Sequence, residues 1–306
     1  MAKRKIRRAW RSENDQGKMH DYLGLTFDFC TKGKVRIDMH KYMRKIIEDF
    51  EKKYVLNDKA TSPAANDLFS NDEKTQKIDK EMKEDFHTFV AKGLFAAKRG
   101  RPDTGTAIAV LSTRVREPSV DDWNKLIRYL QYVKRTRDDV LTLSADNLHV
   151  LKWYVDASFA VHPDFRSHTG AVMTYGEGAI QAVSSKQKLN TRSTCKSELV
   201  STDDAATKIF WTKLFMEAQG YRIDKNILYQ DNMSTILLLN NGKRSAGKRS
   251  RAINIRYFFI TDQKEKGNVV IEYWCNTKDM WADPMTKPLQ GSDFKHMADK
   301  LMGRSK

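Results

Sequence analysis

The stretch LHVLKWYVDASFA, residues 148–160, decides the reading of this chain. Val150 to Val155 is almost wholly apolar or aromatic, as a strand buried on both faces must be. Asp156 then ends the run. An aspartate at that point either opens a turn or belongs to a site, and the rest of the chain bears on the choice. Downstream, GAVMTYG (170–176) and GAIQAVSSK (178–186) read as two further strands joined through Gly176 and Gly178, which is antiparallel geometry. A long helix is predicted from Ser193 to Gln219, stopped by Gly220. NILYQ (226–230), the helix NMSTILLLNNG (232–242), the helix INIRYFFITDQKEKG (253–267), the strand NVVIEYWC (268–275) and a helix after Asp283-Pro284 follow. Three antiparallel strands followed by alternating helix and strand predict a mixed five-stranded sheet with flanking helices, an α/β domain over 141–290.

The segment before it reads differently. Alternating apolar residues around TKGK (31–34) predict a hairpin with Gly33 in the turn. Tyr42, Ile46, Ile47 and Phe50 recur at helical spacing, and residues 56–80 are turn-rich enough to be a long loop or linker. Helices are expected over 83–98 and 103–116. A third should begin at Ser119, a natural N-cap, with Trp123, Ile127 and Leu130 as its apolar stripe. These give a smaller, mostly helical region over 19–140, with a basic tail at 1–18, a boundary near 140 and a C-terminal tail at 291–306.

The chain has 306 residues and a formal net charge of +16, from 55 Lys and Arg against 39 Asp and Glu. That excess favours a polyanionic partner, nucleic acid first. Cys30, Cys195 and Cys275 lie far apart, without zinc-ligand spacing. They fit a reducing, intracellular setting, cytoplasmic or nuclear, and argue against a disulfide framework. No apolar run is long enough for a membrane span, and nothing in the chain calls for a small-molecule cofactor.

Four acids stand at the ends of predicted elements: Asp156, Glu198, Asp231 and Asp283. Each also has a structural explanation. Asp231 and Asp283 are placed to cap helices, and Glu198 near a helix start is favoured by the dipole. Glu198 strains that explanation, because Ala205 and Ile209 lie beneath it on the face that packs on the sheet. A carboxylate there needs a partner. Adjacent strands ending in Asp156 and Asp231, with Glu198 over the edge, would gather charges that cannot all stay ionised without cations. Oxygen donors alone suit Mg²⁺ or Mn²⁺. The basic loop GKRSAGKRSR (242–251) offers Lys243, Arg244, Lys248, Arg249 and Arg251 to a nucleic-acid backbone. Trp153, Tyr154, Trp211 and Trp274 are expected in the core, and His162 and His168 in a loop.

These residues carry a resemblance. YVDASFA, RSHTGAVM, SSKQKLNTRSTCKSEL, QDNMSTILLLNN and NTKDMWADPMTKPL resemble the ribonuclease H region of copia-type LTR-retrotransposon Pol polyproteins, with the acids 42, 33 and 52 residues apart. HDYLGLTFDF and residues 101–136 resemble the end of the reverse transcriptase (thumb) and the connecting region of the same polyproteins. The resemblance implies a ribonuclease H-like fold that hydrolyses the RNA strand of an RNA–DNA hybrid with two ions, Mg²⁺ or Mn²⁺, about 4 Å apart. It further implies that Asp156 bridges them, that Glu198 and Asp231 complete one site, and that Asp283 completes the other. Other parts of Pol would be partners. The family's polymerase turn, Tyr-x-Asp-Asp, has no counterpart, so no DNA synthesis is expected of this chain, which reads as a C-terminal piece of Pol. Ala252 stands where the family commonly has histidine. The alternatives are a catalytically inactive nucleic-acid-binding remnant and a transposase or integrase nuclease, whose acids run Asp, Asp, Glu instead.

Overall fold

The computed structural model describes residues 17–70, 75–242, 259–273 and 279–304. Two five-stranded sheets organise them. The first is antiparallel throughout, in the order β1 (Met19–Tyr22), β2 (Leu25–Asp28), β3 (Lys34–Asp38), β4 (Leu141–Ala145), β7 (Gly176–Glu177). The TKGK hairpin is β2–β3. Gly33 turns it at φ +78°, a conformation that a side chain would strain.

Four helices share a hydrophobic core with this sheet: α1 (His40–Glu51), α2 (Lys80–Ala97), α3 (Gly105–Ser112) and α4 (Val120–Arg135). A single 3₁₀ turn, Pro102–Thr104, precedes α3 and shortens the helix expected over 103–116. Ser119 caps α4 as anticipated, in a reciprocal box with Asp122. Trp123 and Leu130 are buried, and Phe50 meets Phe89 edge-on at 5.0 Å. Residues 19–140 hold these four helices and also three strands of a sheet, where the sequence predicts one hairpin. The sheet runs through the boundary expected near 140, since β4 begins at Leu141 and pairs with β3.

The second sheet is the mixed one. β5 (Val150–Ser158), β6 (His168–Thr174) and β8 (Gln181–Lys186) are antiparallel neighbours, while β9 (Lys225–Gln230) and β10 (Val270–Tyr273) continue it parallel to β5. Leu151, Trp153 and Val155 pack on one face with Ala205 and Ile209 of α5 (Thr194–Ala218). Tyr154 packs on the other with Met280, Trp281 and Leu301. Burial on both faces explains the uninterrupted apolar run, and pleat alternation sends Asp156 to the same face as Tyr154.

After β9 come α6 (Met233–Asn241), helical residues 259–265, the short α7 (Asp283–Thr286) and α8 (Gly291–Met302). Residues 291–302, read as part of a tail, form α8, whose Leu301 and Met302 are fully buried. Trp153 and Tyr154 are core residues, but Trp211 is 56% exposed and stacks on Phe215. The buried face of α5 runs through Glu198, Thr202, Ala205, Ile209 and Thr212, and Trp211 lies two residues off Ile209 on the far side. Trp274, Cys275, Ala252 and the basic residues Lys243, Arg244, Lys248, Arg249 and Arg251 lie outside the described residues. Among the described residues no helix is long and apolar enough to cross a membrane.

Candidate active site

Parallel pairing brings the carboxyl ends of β5 and β9 side by side. Asp156 stands near the end of the first and Asp231 immediately after the second. α5 approaches this edge with its first turns. Ser201 Oγ donates to the Asp156 carbonyl at 2.7 Å, fixing the helix on the strand and delivering Glu198. One carboxylate oxygen of each of Asp156, Glu198 and Asp231 lies within 4.8 Å of the others. Asp156 and Glu198 are each 3% exposed.

Glu198 is held from two sides. Its Oε1 accepts the Ala157 N–H at 3.2 Å and its Oε2 accepts from Gln230 Nε2 at 3.3 Å. Gln230 in turn takes the backbone N–H groups of Asp231 and Asn232 on its own oxygen, at 2.9 and 3.1 Å. One buried amide therefore orients Glu198 and the chain that carries Asp231. The capping role open to Asp231 falls to its neighbour, because Asn232 accepts from Thr235 N at the start of α6.

Asp283 arrives from the opposite side, as the first residue of α7, with Ala282 in the capping position. It lies outside the group of three but is tied to it. Lys287 Nζ sits 2.6 Å from Asp283 Oδ1 and 3.4 Å from Asp156 Oδ2, and Thr286 Oγ1 donates to Asp156 Oδ2. Gly170, paired with Asp156 on β6, lets α7 come this close: a Cβ there would lie 2.5 Å from Thr286 Cγ2 and 2.9 Å from the Ala282 carbonyl.

The electrostatics follow from burial and crowding. Burial, then the charges of Asp156 and Asp231, push the Glu198 carboxyl well above the usual range. Burial and Asp156 also raise Asp231, and they raise Asp283 to about 6. For Lys287, burial opposes the charge, but Asp156 and Asp283 outweigh it and keep the ammonium protonated. Like charges in a small, half-desolvated volume are unfavourable unless cations join them. The donor set is all oxygen and so fits hard divalent cations. The four acids are thus assembled on one sheet edge, three directly and one through Lys287.

Gln230, Thr286 and Lys287 were not anticipated. Thr286 and Lys287 stand three and four residues after Asp283, the spacing at which helical side chains meet, and that was the available signal. His162 lies in the loop between β5 and β6 as expected, while His168 departs from that placement. Both are buried, and His168 begins β6. His162 Nε2 lies 3.0 Å from His168 Nδ1, and His168 Nε2 2.7 Å from Ser184 Oγ, which donates to the Met285 carbonyl of α7. Phe69 sits edge-on to both rings. Burial lowers His162 to about 4 and His168 to about 3, so the pair is neutral near pH 7 and props α7 from behind.

Lys287→Met should leave Asp156 and Asp283 without their cation. In chelator, the melting temperature is expected to fall by roughly 2–4 °C, from about 1–2 kcal/mol for a pair partly screened by solvent. Mn²⁺ should restore most of it. A thermal scan in EDTA and in Mn²⁺ checks this; equal losses in both would show an ordinary ion pair.

Comparison with known proteins gives this geometry its context. Over 282 residues the chain is 27% identical to the retrovirus-related Pol polyprotein from transposon TNT 1-94 of Nicotiana tabacum, covering 89% of this chain and 20% of that one. It is 30% identical over 203 residues to the Pol polyprotein from transposon RE2 of Arabidopsis thaliana, covering 66% and 14%. The chain is related to copia-type retrotransposon Pol polyproteins. The Ty1-NL2 Gag-Pol polyprotein of Saccharomyces cerevisiae matches 94% of this Pol-related chain at 24% identity. The chain spans about a fifth or less of the length of these relatives. No protein-family model matches it. Among solved structures, a foamy virus protease-reverse transcriptase matches 58% of the chain at 13% identity with a TM-score of 0.30.

Proposed function

We propose that this chain hydrolyses the RNA strand of RNA–DNA hybrids, as a divalent-cation-dependent ribonuclease H of a retrotransposon Pol. The observation that carries the reading is the convergence of Asp156, Glu198 and Asp231 from two adjacent parallel strands and a crossing helix. The mixed sheet order, with a long helix over the carboxyl ends, supports a ribonuclease H-like layout, and the kinship with Pol polyproteins supports a nucleic-acid substrate.

Glu198, Asp156 and Asp231 would hold one divalent cation, and Asp156 with Asp283 a second. When bound, Mg²⁺ or Mn²⁺ supplies Lewis acidity that eases deprotonation of the attacking water and balances charge on the phosphate. The chain's own part is positional. Asp156 is shared because it faces Glu198 on one side and α7 on the other. Gln230 keeps Glu198 turned inward. Ser201 and Gly170 fix how closely α5 and α7 approach β5. Lys287 has a mobile stem with 42% of its side chain exposed, so it can leave Asp156 without unfolding α7.

Raised carboxyl values set the sign of the pH dependence. A carboxyl that holds its proton more tightly when folded stabilises the protein below its unfolded pKa, and that contribution is lost as pH rises through the folded value. For Asp283 the loss runs from about pH 4 to about 6. In chelator the site therefore weakens the fold at pH 8, and added Mg²⁺ is expected to raise the melting temperature more at pH 8 than at pH 5. Glu198→Gln should raise it in chelator at pH 8 by about 2–6 °C, removing about 1–3 kcal/mol of buried-charge cost, and should reduce the Mg²⁺ response to what Asp156 and Asp283 support. Differential scanning fluorimetry at the two pH values measures both; an undiminished Mg²⁺ response in the variant would contradict the assignment of Glu198.

The function itself is tested with a hybrid labelled on both strands. RNA fragments in Mg²⁺, an intact DNA strand and no cleavage in EDTA are expected. Tight binding with no cleavage would instead mark the chain as an inactive nucleic-acid-binding remnant.

A further inference from the structure

A groove of about 360 Å³ lies between the end of α2, α3 and the edge strand β8. Leu94, Ala97 and Ile108 line its apolar part, while Lys98, Ser112, Thr113 and Lys186 bring polar groups to it, and no carboxylate does. Lys186 is paired with Asp164 at 2.7 Å. Among the described residues Lys98 meets no carboxylate, and neither does Lys208 of α5, which lies over the β6–β8 edge one turn after Asp204, bonded to Thr169 of β6, and one turn before Thr212, bonded to Gln181 of β8. Asp204, one turn before Lys208 on α5, is turned to Thr169 Oγ1 instead, at 3.0 Å. Lys208 is half-buried, and burial together with the charge of Lys98 lowers its pKa. Two like charges drawn together and partly dried oppose folding, and an anion would reverse that.

The position of the groove says which anion. Ser184 of β8 pairs with Gly170, and Gly170 with Asp156, so the groove lies two strand spacings from the carboxylates, about 10 Å, on the same sheet. A nucleic-acid backbone covers that in a few nucleotides, at about 3.4 Å of axis per nucleotide. We infer that Lys98 and Lys208, on either side of the β8 edge, grip the phosphodiester backbone of the nucleic acid that enters the carboxylate site. This rests on the proposed function, adding a second contact that the two parts of the chain build jointly.

The test compares wild type, Lys98→Gln/Lys208→Gln and, as a control of equal charge change on α1 and its C-cap, Lys45→Gln/Lys52→Gln. Binding of a fluorescent 20-base-pair RNA–DNA hybrid is measured by anisotropy in EDTA across a salt series, with RNA cleavage in Mg²⁺ followed in parallel. At about 0.9 per phosphate contact, the slope of log affinity against log salt should fall by about 2 in Lys98→Gln/Lys208→Gln, with affinity at 0.15 M salt down about tenfold or more. Its melting temperature should stay level or rise, because a repulsion is removed. The control should match wild type. An unchanged slope in the groove variant, or an equal fall in the control, overturns the inference while wild-type cleavage leaves the ribonuclease reading intact. A wild-type chain that neither binds nor cuts hybrid overturns both.

Discussion

Asp156→Asn is expected to lower hybrid cleavage by at least ~10³-fold, with hybrid binding within about threefold of wild type. The asparagine keeps an oxygen for Thr286 Oγ1, so the local hydrogen bond survives. What disappears is the one charge that faces both Glu198 and Asp231 on one side and Asp283 and Lys287 on the other. Each of those three carboxyls is raised in part by Asp156. Removing it therefore relieves repulsion while costing Lys287 a partner, and the melting temperature in chelator should move by no more than about 3 °C. Gel quantification of single-turnover cleavage, with a thermal scan of the same preparations, separates lost chemistry from lost fold. A variant with a tenth or more of wild-type cleavage would remove Asp156 from the centre of the account.

The largest stability effect is expected at a buried ion pair outside the group of carboxylates. Arg101 and Asp103 form a bidentate pair at 2.9 and 2.7 Å, almost wholly buried. Arg101 also donates to the carbonyl and the hydroxyl of Thr136, and Tyr132 donates to Asp103 at 2.7 Å. The network joins the turn before α3 to the end of α4. Arg101→Met would leave Asp103 buried with the Tyr132 hydroxyl as its direct partner, a loss of about 3–5 kcal/mol. The melting temperature should fall by roughly 6–15 °C. Adding Asp103→Leu to the same variant should recover much of it, because replacing both partners removes the orphaned charge. A fall below about 2 °C in the single variant would contradict this.

The sequence was legible where one residue broke a pattern. Asp156 ended an apolar run, Glu198 sat above Ala205 and Ile209 on a packing face, and Asp231 and Asp283 stood at element junctions. Such interruptions are local and survive without knowledge of the fold. Gln230, Thr286 and Lys287 act only because β9 lies beside β5 and α7 crosses β6, which no local pattern states. The first sheet was partly hidden for a similar reason: β1, β4 and β7 are short, and their burial alternates poorly. The described residues of 56–79 form the loop that their polar composition predicts, but composition does not show what that loop buries. Leu56, Leu68 and Phe69 are buried, and Phe69 closes over the two histidines behind α7. Trp211 shows the opposite error, since residue type alone placed it in a core that the helical phase denies it.

The most direct measurement of the central claim is a calorimetric titration of Mn²⁺ into the wild-type chain and into Asp156→Asn at pH 7.5. Saturable binding in wild type that disappears in the variant is the predicted result, because Asp156 is the acid that Glu198, Asp231 and Asp283 share in the proposed cation site. No saturable binding in wild type, or the same isotherm for both proteins, would contradict the account.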